Sequence, residues 1–314
     1  YVYIPRYKYQ LFNAEDGTSV EQAINITFES KTTAKSTGTK NGEWLTHPAF
    51  TFDDKELAGI WVGKFETSNT SSLPKIVPNV SSLRNMNVSA QFNTSRLMTT
   101  TLASTYGTST NDDSHMMKNM EWGAIAFLTN SIYGRYNDSS TCIASGCEVW
   151  INNNSNFTTG CAGSSVSTSK ASTCNVWNTS IGVNASTTGN IYGIYDMSGG
   201  AWEYVMGNYN DAIKNAGFSS MPEAKYYDKY TGIDANNDFP KYHLGDATKE
   251  TIKTKSTGEN AWYKDYSYAV YSSLPWMFRG GCYDNGTNAG VFDFDGRTGT
   301  SSSYYSFRVV LVAI

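Results

Sequence analysis

Short runs of alternating apolar and polar residues predict several β-strands in the first part of the chain. The opening segment, YVYIPRYKYQLF, alternates aromatic with polar residues around Pro5. This is typical of an exposed or edge strand, because proline donates no backbone hydrogen bond. AINITFES and GIWVGKFET show a similar alternation. The predicted strands span residues 1–12, 23–30 and 59–67.

Two later segments have the spacing of apolar positions that predicts helices. The first covers residues 87–98, with Ser89 as the expected cap. The second covers residues 114–134, and its apolar stripe consists of Met117, Met120, Ala124 and Leu128. Such a stripe is typical of core packing, although a methionine-rich face can also adapt to a docking partner.

The rest of the chain alternates between framework-like segments and loose polar ones. Residues 265–273 predict a strand, and the apolar run 306–314 predicts a buried central strand. Polar stretches at 66–87 and 137–188 indicate long loop insertions. A few short helices among many short strands and long loops indicate a single α+β domain over residues 1–314.

Composition narrows the class of protein. The chain has 314 residues with 39% hydrophobic and 14% aromatic content, enough for a large buried core. Its net charge of −4 argues against a nucleic-acid binder, which normally carries a basic face. The sequence contains no apolar run of the length that spans a membrane. Because the chain opens directly on a predicted strand, we expect it to be a piece of a longer protein, with any export signal or anchor upstream.

Four of the five cysteines lie in one polar segment. They are Cys142, Cys147, Cys161 and Cys174, and the fifth is Cys282. Four cysteines allow three pairings, and we favour 142–147 with 161–174 because short loops close most readily. A zinc site is the competing interpretation, but the paired C-x-x-C spacing is missing and the segment has no histidine. Disulfides would place the chain in an oxidising compartment.

Known catalytic motifs are missing from the sequence. The histidines, His47, His115 and His243, are far apart, and there is no H-E-x-x-H, P-loop or G-x-S-x-G motif. Asp196 and Glu203, in YDMSGGAWEY, lie among glycines whose carbonyls could help to hold a calcium ion. The alternative is that the glycines let the backbone pass close to Trp202 while the two acids cap turns.

At residues 189–208, GNIYGIYDMSGGAWEYVMGN resembles the G-LYDM-GNVWEW signature of the formylglycine-generating-enzyme-type domain, a decorated C-type-lectin-like fold. FRGG…SFRVVL is similar to the RGGSW…GFR ending of the same domain. MKNMEWGAIAFL and VSAQFNTSRL resemble its two helices, and YVYIPRYKY resembles its opening VYIPGG strand. The matches follow the family's order from residue 1 to residue 311. The resemblance implies this α+β fold, with 66–87 and 137–188 as insertions.

The enzymes of this family use two cysteines shortly after the RGG motif, together with copper. On this chain the corresponding positions are Asn285 and Gly290, and neither is a thiol. Cys282 directly follows the glycines and has no partner nearby in sequence. An oxidase acting on a peptide cysteine therefore remains only the alternative function.

A second branch with this fold consists of variable proteins that retroelements diversify, carried by phages and bacteria. Diversification rewrites adenines, typically in Asn codons, and such codons never yield Lys, Glu, Gln, Met or Trp. Residues 282–305 contain none of these five types, which make up 49 of the 314 residues. A window of this length would lack all five by chance about one or two times in a hundred. This composition favours a diversified region at residues 282–305.

The resemblance then implies a division between framework and binding positions. Arg279–Gly281 and Ser306–Arg308 would be framework, and the segment 286–292 is expected to stay structural. Tyrosine offers rigid contact area, while Ser, Asn and Gly adapt their hydrogen bonds, as in antibody paratopes. The expected ligand-binding residues are Cys282, Asp284, Asn285, Asp293, Asp295, Gly296, Arg297, Ser302, Ser303, Tyr304 and Tyr305.

The function implied by this branch is ligand binding without catalysis. We expect an extracellular protein, on a cell surface or a virion, that binds a protein or glycan on another cell surface. Neither nucleic acid nor direct membrane insertion is expected. No cofactor is required, and the calcium ion considered above would have a structural role only. The rivals are the oxidase and a pilus or cell-surface adhesion module of fixed specificity.

Overall fold

The chain is built mainly of short strands. A computed structural model describes residues 1–15 and 17–314. The strands are β1 Val2–Pro5, β2 Tyr7–Gln10, β3 Ile26–Phe28, β4 Trp44–Thr46, β5 Thr51–Phe52, β6 Lys55–Glu56, β7 Gly59–Val62, β8 Ser68–Thr70, β9 Leu73–Lys75, β10 Asp113–Met116, β11 Cys161–Ala162, β12 Asn175–Val176, β13 Trp202–Tyr209, β14 Asp228–Tyr230, β15 Trp276–Arg279, β16 Phe294–Arg297, β17 Tyr305–Phe307 and β18 Val309–Val312. The α-helices are α1 Val88–Arg96, α2 Ala103–Tyr106 and α3 Asn119–Thr129. Short 3-10 helices lie at Pro48–Phe50, Leu97–Thr99, Gly182–Ala185, Ala224–Tyr226, Phe239–Lys241, Lys249–Thr251, Trp262–Lys264 and Gly286–Asn288.

One antiparallel sheet brings the two ends of the chain together. Its strand order is β1-β7-β18-β10, so β1 lies at an edge, as the alternation around Pro5 predicted. The prediction of one edge strand over residues 1–12 is wrong in its second half, because β2 lies at the centre of a separate sheet with the order β3-β2-β4. β18 lies inside the sheet, where Val310 pairs with Val62 on one side and with His115 on the other. The apolar C-terminal run is therefore a buried central strand, although the strand is shorter than predicted.

The predicted helix at 114–134 is wrong at both ends, since α3 spans only Asn119–Thr129. Asp113–Met116 instead forms β10, because its backbone pairs with β18 from the far end of the chain. The helix begins at Asn119, where the Glu121 carboxylate accepts a hydrogen bond from the Lys118 N–H at 2.8 Å. Long-range strand pairing has overridden the local helical pattern.

Two smaller predictions also need correction. Asn87, and not Ser89, caps α1, since the Asn87 side chain accepts a hydrogen bond from the Ala90 N–H. The segment 265–273 is not a strand. Its N–H groups find scattered partners: Tyr268 bonds the Phe294 carbonyl, whereas Val270 bonds the hydroxyl of Tyr242.

The second sheet carries the candidate site. Its order is β14-β13-β15-β16, and β17 also pairs with β13. The first half of β13 runs parallel to β17, and its second half runs parallel to β14. Cross-strand partners share a face of a sheet. The register therefore places eight side chains on one face: Trp202, Tyr204, Trp276, Phe278, Asp295, Arg297, Tyr305 and Phe307.

Arg308 joins the two sheets at the point where β17 ends and β18 begins. It is fully buried and forms a bidentate ion pair with Glu203 of β13. It also donates to the carbonyls of Gly63 (2.7 Å) and Tyr195 (3.0 Å). These bonds hold Arg308 between the two sheets. The residues before it belong to β17 of the second sheet, and the residues after it belong to β18 of the first.

The polar segments 66–87 and 137–188 contact each other. β8 and β9 form a hairpin in the first, and Ser81 bridges to Thr158 in the second. Cys142 pairs with Cys147 and Cys161 with Cys174, the pairing that loop length favours. Two disulfides indicate an oxidising compartment. Within residues 1–15 and 17–314, no helix is long and apolar enough to cross a membrane.

The fold is a mixed, strand-rich arrangement with few helices. The largest core cluster draws on both sheets and on α3, with Val310, Tyr204 and Trp122 among its fully buried members. This architecture is compatible with a C-type-lectin-like fold.

Candidate ligand-binding site

A cavity of about 190 Å³ opens beside the second sheet. In the adjacent sheet, Phe278 is the cross-strand partner of Asp295; the ring centres of Phe278 and Tyr204 lie 4.1 Å apart, and both side chains are fully buried. The residues that line the cavity are Trp202, Tyr266, Asn285, Asn288, Asp293, Asp295 and Arg297. They come from β13, β16 and the loops on either side of β15, so segments distant in sequence meet at one site.

Strand alternation decides which residues of β16 reach the cavity. Successive side chains of a strand point to opposite faces. Asp295 and Arg297 therefore lie on the same face as Phe278 and line the cavity, while Phe294 is fully buried on the other face. Gly296 points the same way as Phe294, and a Cβ there would lie 2.7 Å from the Leu274 carbonyl.

Gly280 and Gly281 determine the backbone direction of the loop that begins at residue 282. Gly280 and Gly281 have φ values of +85° and +72°, which non-glycine residues rarely adopt. A Cβ on Gly281 would lie 2.5 Å from Ala289, so the two backbone segments require a glycine to pass this closely. The loop is then fastened by the Asn285 side chain, which accepts a hydrogen bond from the Cys282 N–H at 2.7 Å.

The charged groups of the cavity are only partly compensated. Arg297 pairs with Asp295 at 2.5 Å, and its guanidinium lies 5.5 Å from the Phe278 ring centre. Burial raises the pKa of Asp295, against the opposing effect of Arg297. Burial, followed by repulsion from Asp295, raises the pKa of Asp293 well above its usual range. The Gly281 N–H donates to Oδ1 of Asp293 at 3.1 Å.

An aromatic rim continues the site beyond the cavity. Trp202 contacts both Tyr304 and Tyr305, with ring centres 6.2 Å apart in each case. Tyr304 in turn stacks on Tyr283 at 6.3 Å and meets Phe157 edge-on at 5.6 Å. Phe157 belongs to the segment 137–188, so this polar segment supplies part of the rim.

Arg84 fastens the loop that carries Ser302 and Ser303. Its guanidinium lies 3.9 Å from the Phe157 ring centre and donates to the Ser303 carbonyl. The neighbouring Asn85 N–H donates to the Ser302 carbonyl at 2.9 Å. The segment 66–87 therefore positions the backbone of this loop and leaves its side chains unengaged by these bonds.

Most of the predicted binding positions meet around Trp202. Asn285, Asp293, Asp295 and Arg297 line the cavity, and Tyr304 and Tyr305 form the rim. Asp284 is exposed and shares an adjoining open groove of about 610 Å³ with Asn285. Ser303 is exposed and Ser302 half-buried on the neighbouring loop.

Two predicted contact residues face the interior. Cys282 is fully buried and packs with Phe157, Ala201 and Tyr283, so its side chain cannot reach a ligand from this position. Gly296 is buried on the core face of β16. Both predictions treated the region as a continuous loop and ignored the alternation of its ordered parts.

Sequence reasoning missed six residues of the site. They are Arg84, Phe157, Trp202, Tyr266, Tyr283 and Asn288. Tyr283 and Asn288 lie inside the window 282–305, and the composition of that window was an available signal for both. Trp202 stands in the framework signature and was interpreted as a packing residue. Arg84, Phe157 and Tyr266 come from distant segments, and nothing local marks them.

Asp196 and Glu203 occupy positions that protein donors already serve. Asp196 accepts hydrogen bonds from the Gly160 N–H and the Asn152 side chain at 2.9 and 2.8 Å. Both oxygens of Glu203 accept from Arg308, and burial raises the pKa of Glu203 to about 7. In the described part of the chain, no group of three or more His, Cys, Asp or Glu residues is arranged to hold a metal ion. Calcium at this pair stays a prediction that the donor arrangement does not favour.

The residues relevant to the oxidase alternative are Cys282 and Gly290. Cys282 is the free cysteine, and burial raises the pKa of its thiol above the ordinary value. A Cβ at Gly290 would lie 2.1 Å from the Asp265 carboxylate, which leaves no room there for a second sulfur.

No protein-family model and no curated protein matches the chain. Among solved structures, the chain is similar to Treponema denticola variable protein 1, with a TM-score of 0.26 and 13% sequence identity. The alignment covers 64% of this chain and 49% of that one, so it spans about half the length of the Treponema protein. A TM-score this low does not by itself place two chains in one fold.

Proposed function

We propose that this chain is a non-enzymatic ligand-binding domain, displayed on a cell surface or a virion, whose patch at residues 282–305 is diversified by a retroelement. Its scaffold would be the formylglycine-generating-enzyme type of C-type-lectin-like fold, with 66–87 and 137–188 as insertions. The ligand would be a protein or a glycan on another cell surface. No cofactor takes part in this function.

One observation carries the proposal. The polar side chains of residues 282–305 gather around one cavity and its rim, while the apolar residues between them are buried. Asp293, Asp295 and Arg297 line the cavity, whereas Phe292 and Phe294 belong to the main hydrophobic core. Side chains on one face of a strand can change without disturbing the packing of the other face.

The chemistry of this patch suits recognition. Tyr304 and Tyr305 offer rigid amphipathic area at a low cost in side-chain entropy. Asp293 and Arg297 add charge, which discriminates among partners by leaving a wrong one with unpaired groups. The oxidase alternative lacks a second sulfur, and its remaining thiol, Cys282, is buried.

The test is to sequence the same locus in sister isolates. Variation confined to codons 282–305, next to a reverse transcriptase gene and a near-copy of these codons, is the expected result. A locus identical in all isolates would contradict diversification and favour an adhesion module of fixed specificity.

A further inference from the structure

We infer that the cavity beside Asp293 receives a cationic side chain, arginine or lysine, of a protein ligand. This inference rests on the proposed function and assigns the ligand chemistry of the same site. It commits to a protein over a glycan because the cavity requires a positive charge, which a neutral sugar does not carry.

Asp293 is a buried acidic residue with one side-chain oxygen that accepts no hydrogen bond from the described residues. Its side chain is nine-tenths or more buried and lines the cavity, and only Oδ1 is engaged, by the Gly281 N–H. Within the part of the chain that the structure describes, Oδ2 accepts no hydrogen bond and the carboxylate forms no ion pair. Ionisation of a buried carboxyl group without a cation is costly, and a cation that enters the cavity would stabilise the ionised form of Asp293.

The neighbouring residues show that a guanidinium fits these surroundings. Arg297 already pairs with Asp295 and lies 5.9 Å from the Trp202 ring centre. Arginine is attracted to aromatic faces through the ring quadrupole. A second cation at Asp293 would meet the same combination, with Tyr266 as a further cavity wall. Of the two acids, only Asp295 forms an ion pair, whereas Arg279 and Arg297 act on Asp293 without an ion-pair contact.

Size favours a side chain over a free small molecule. The cavity of about 190 Å³ is smaller than the roughly 300–1,000 Å³ of drug-sized ligand pockets. Asn285 and Asn288 line both this cavity and the open groove of about 610 Å³ beside it. A polypeptide could therefore place one side chain in the cavity while its backbone follows the groove.

The experiment uses short peptides as probes. The N-acetylated, C-amidated peptides Gly-Arg-Gly and Gly-Lys-Gly carry the cation, and Gly-citrulline-Gly is the neutral match for arginine. Binding to the protein is followed by NMR, through the indole N–H of Trp202. We expect the arginine peptide to bind about tenfold more tightly than the citrulline peptide, the contribution of one charge-assisted hydrogen bond.

Two variants test whether Asp293 causes the preference for the arginine peptide. Asp293→Asn keeps an acceptor for the Gly281 N–H and should abolish the preference for arginine over citrulline. Asp54→Asn, at an exposed site elsewhere, is the matched control and should retain it. Equal affinity for the two peptides on the wild-type protein would overturn the inference. So would an arginine preference that survives in folded Asp293→Asn.

A measurement on the wild-type protein covers the case in which the variant does not fold. The affinity of the arginine peptide should rise with pH, because the cation binds the ionised form of Asp293, while the citrulline peptide should show little change. The titratable and charged groups that face Asp293 are Asp295, Arg297, Arg279, Asp265 and Tyr266. An arginine affinity that is flat or falls with pH would contradict the inference.

The two proposals fail separately. Isolates that vary at 282–305, combined with no preference for cationic peptides, would overturn only the ligand chemistry. An invariant locus would overturn diversification, whatever the peptides do.

Discussion

Neighbouring residues in the window 282–305 have opposite roles. Asp284 is exposed, whereas Cys282, two positions earlier, is fully buried beside Phe157. Asp295 faces the cavity, whereas Phe294 beside it packs in the core. The role of each residue follows from the direction of its side chain, which polarity alone does not reveal.

The burial of Cys282 predicts an unreactive thiol. A thiol-specific reagent should not modify the native protein within minutes, because the sulfur is enclosed and burial raises the pKa of the thiol. Unfolding in guanidinium without reductant should release one reactive thiol per chain, as the other four cysteines form disulfides. Rapid labelling of the native protein would contradict the burial and reopen the oxidase alternative.

Arg84 is predicted to hold the rim loop in place. Arg84→Ala removes the bond to the Ser303 carbonyl and the contact with Phe157, so hydrogen exchange at residues 302–304 should speed up by about fivefold or more, as for the loss of one hydrogen bond of about 1 kcal/mol. Arg84→Lys keeps the charge without the planar fork and should restore little protection. Unchanged exchange in Arg84→Ala would show that Asn85 fastens the loop by itself.

Among the elements, β10 and α3 are joined by a buried ionic group. His115 of β10 lies between Asp113 and Glu121, with 2.9 Å from each ring nitrogen to a carboxylate oxygen. Burial alone would lower the pKa of His115, but the two carboxylates reverse this and raise it above the ordinary value. This arrangement secures the first turn of α3, where sequence analysis expected a continuous helix.

The His115 group predicts a dependence of stability on pH. Because its pKa is higher in the folded chain, the protonated ring stabilises the fold fully below the unfolded value of about 6.5 and loses this effect as pH rises through the folded pKa. The free energy of unfolding should therefore fall more steeply above about pH 6.5 in the wild type than in His115→Gln. Urea unfolding at a series of pH values measures the difference, with the exposed His243→Gln as control. Parallel curves for wild type and His115→Gln would contradict the prediction.

At the scale of the whole molecule, the proposed function requires that binding and folding draw largely on different residues. The framework is held by buried groups such as the ion pair of Arg308 with Glu203 and the packed rings of Tyr204 and Phe278. Trp202 and Tyr305 of the rim pack against that core, whereas Asp284, Thr287, Ser303 and Tyr304 are exposed. If the proposal is correct, the exposed positions of the patch can be exchanged without a large loss of stability.

This division can be measured on one combined variant. Asp284→Ser, Thr287→Asn, Ser303→Asn and Tyr304→Asn, made together at exposed positions, should change the free energy of unfolding by no more than about 2 kcal/mol. Phe278→Ala, one substitution in the buried core, should lower the free energy of unfolding by about 3–5 kcal/mol. Urea denaturation of both proteins supplies the comparison. A combined variant as unstable as Phe278→Ala would mean that the patch is part of the core.

The sequence predicted local features well where neighbouring residues decide them. The edge strand around Pro5, the helix near residues 87–98 and the central C-terminal strand are present. It failed at residues 113–118, where pairing with β18 overrides a helical pattern, and at 265–273, where the N–H groups find unrelated partners.

By itself, the sequence determined that this is a strand-rich chain with two local disulfides and a polar window before its last strand, because alternation, loop length and composition are properties of adjacent residues. Only the tertiary structure decided that Trp202, Tyr266 and the cavity face of β16 form one site, and that Cys282 and Gly296 lie beneath it. The physical reason is that membership of a pocket depends on the register between strands far apart in the chain, and a shift of one residue would reverse every side chain of β16.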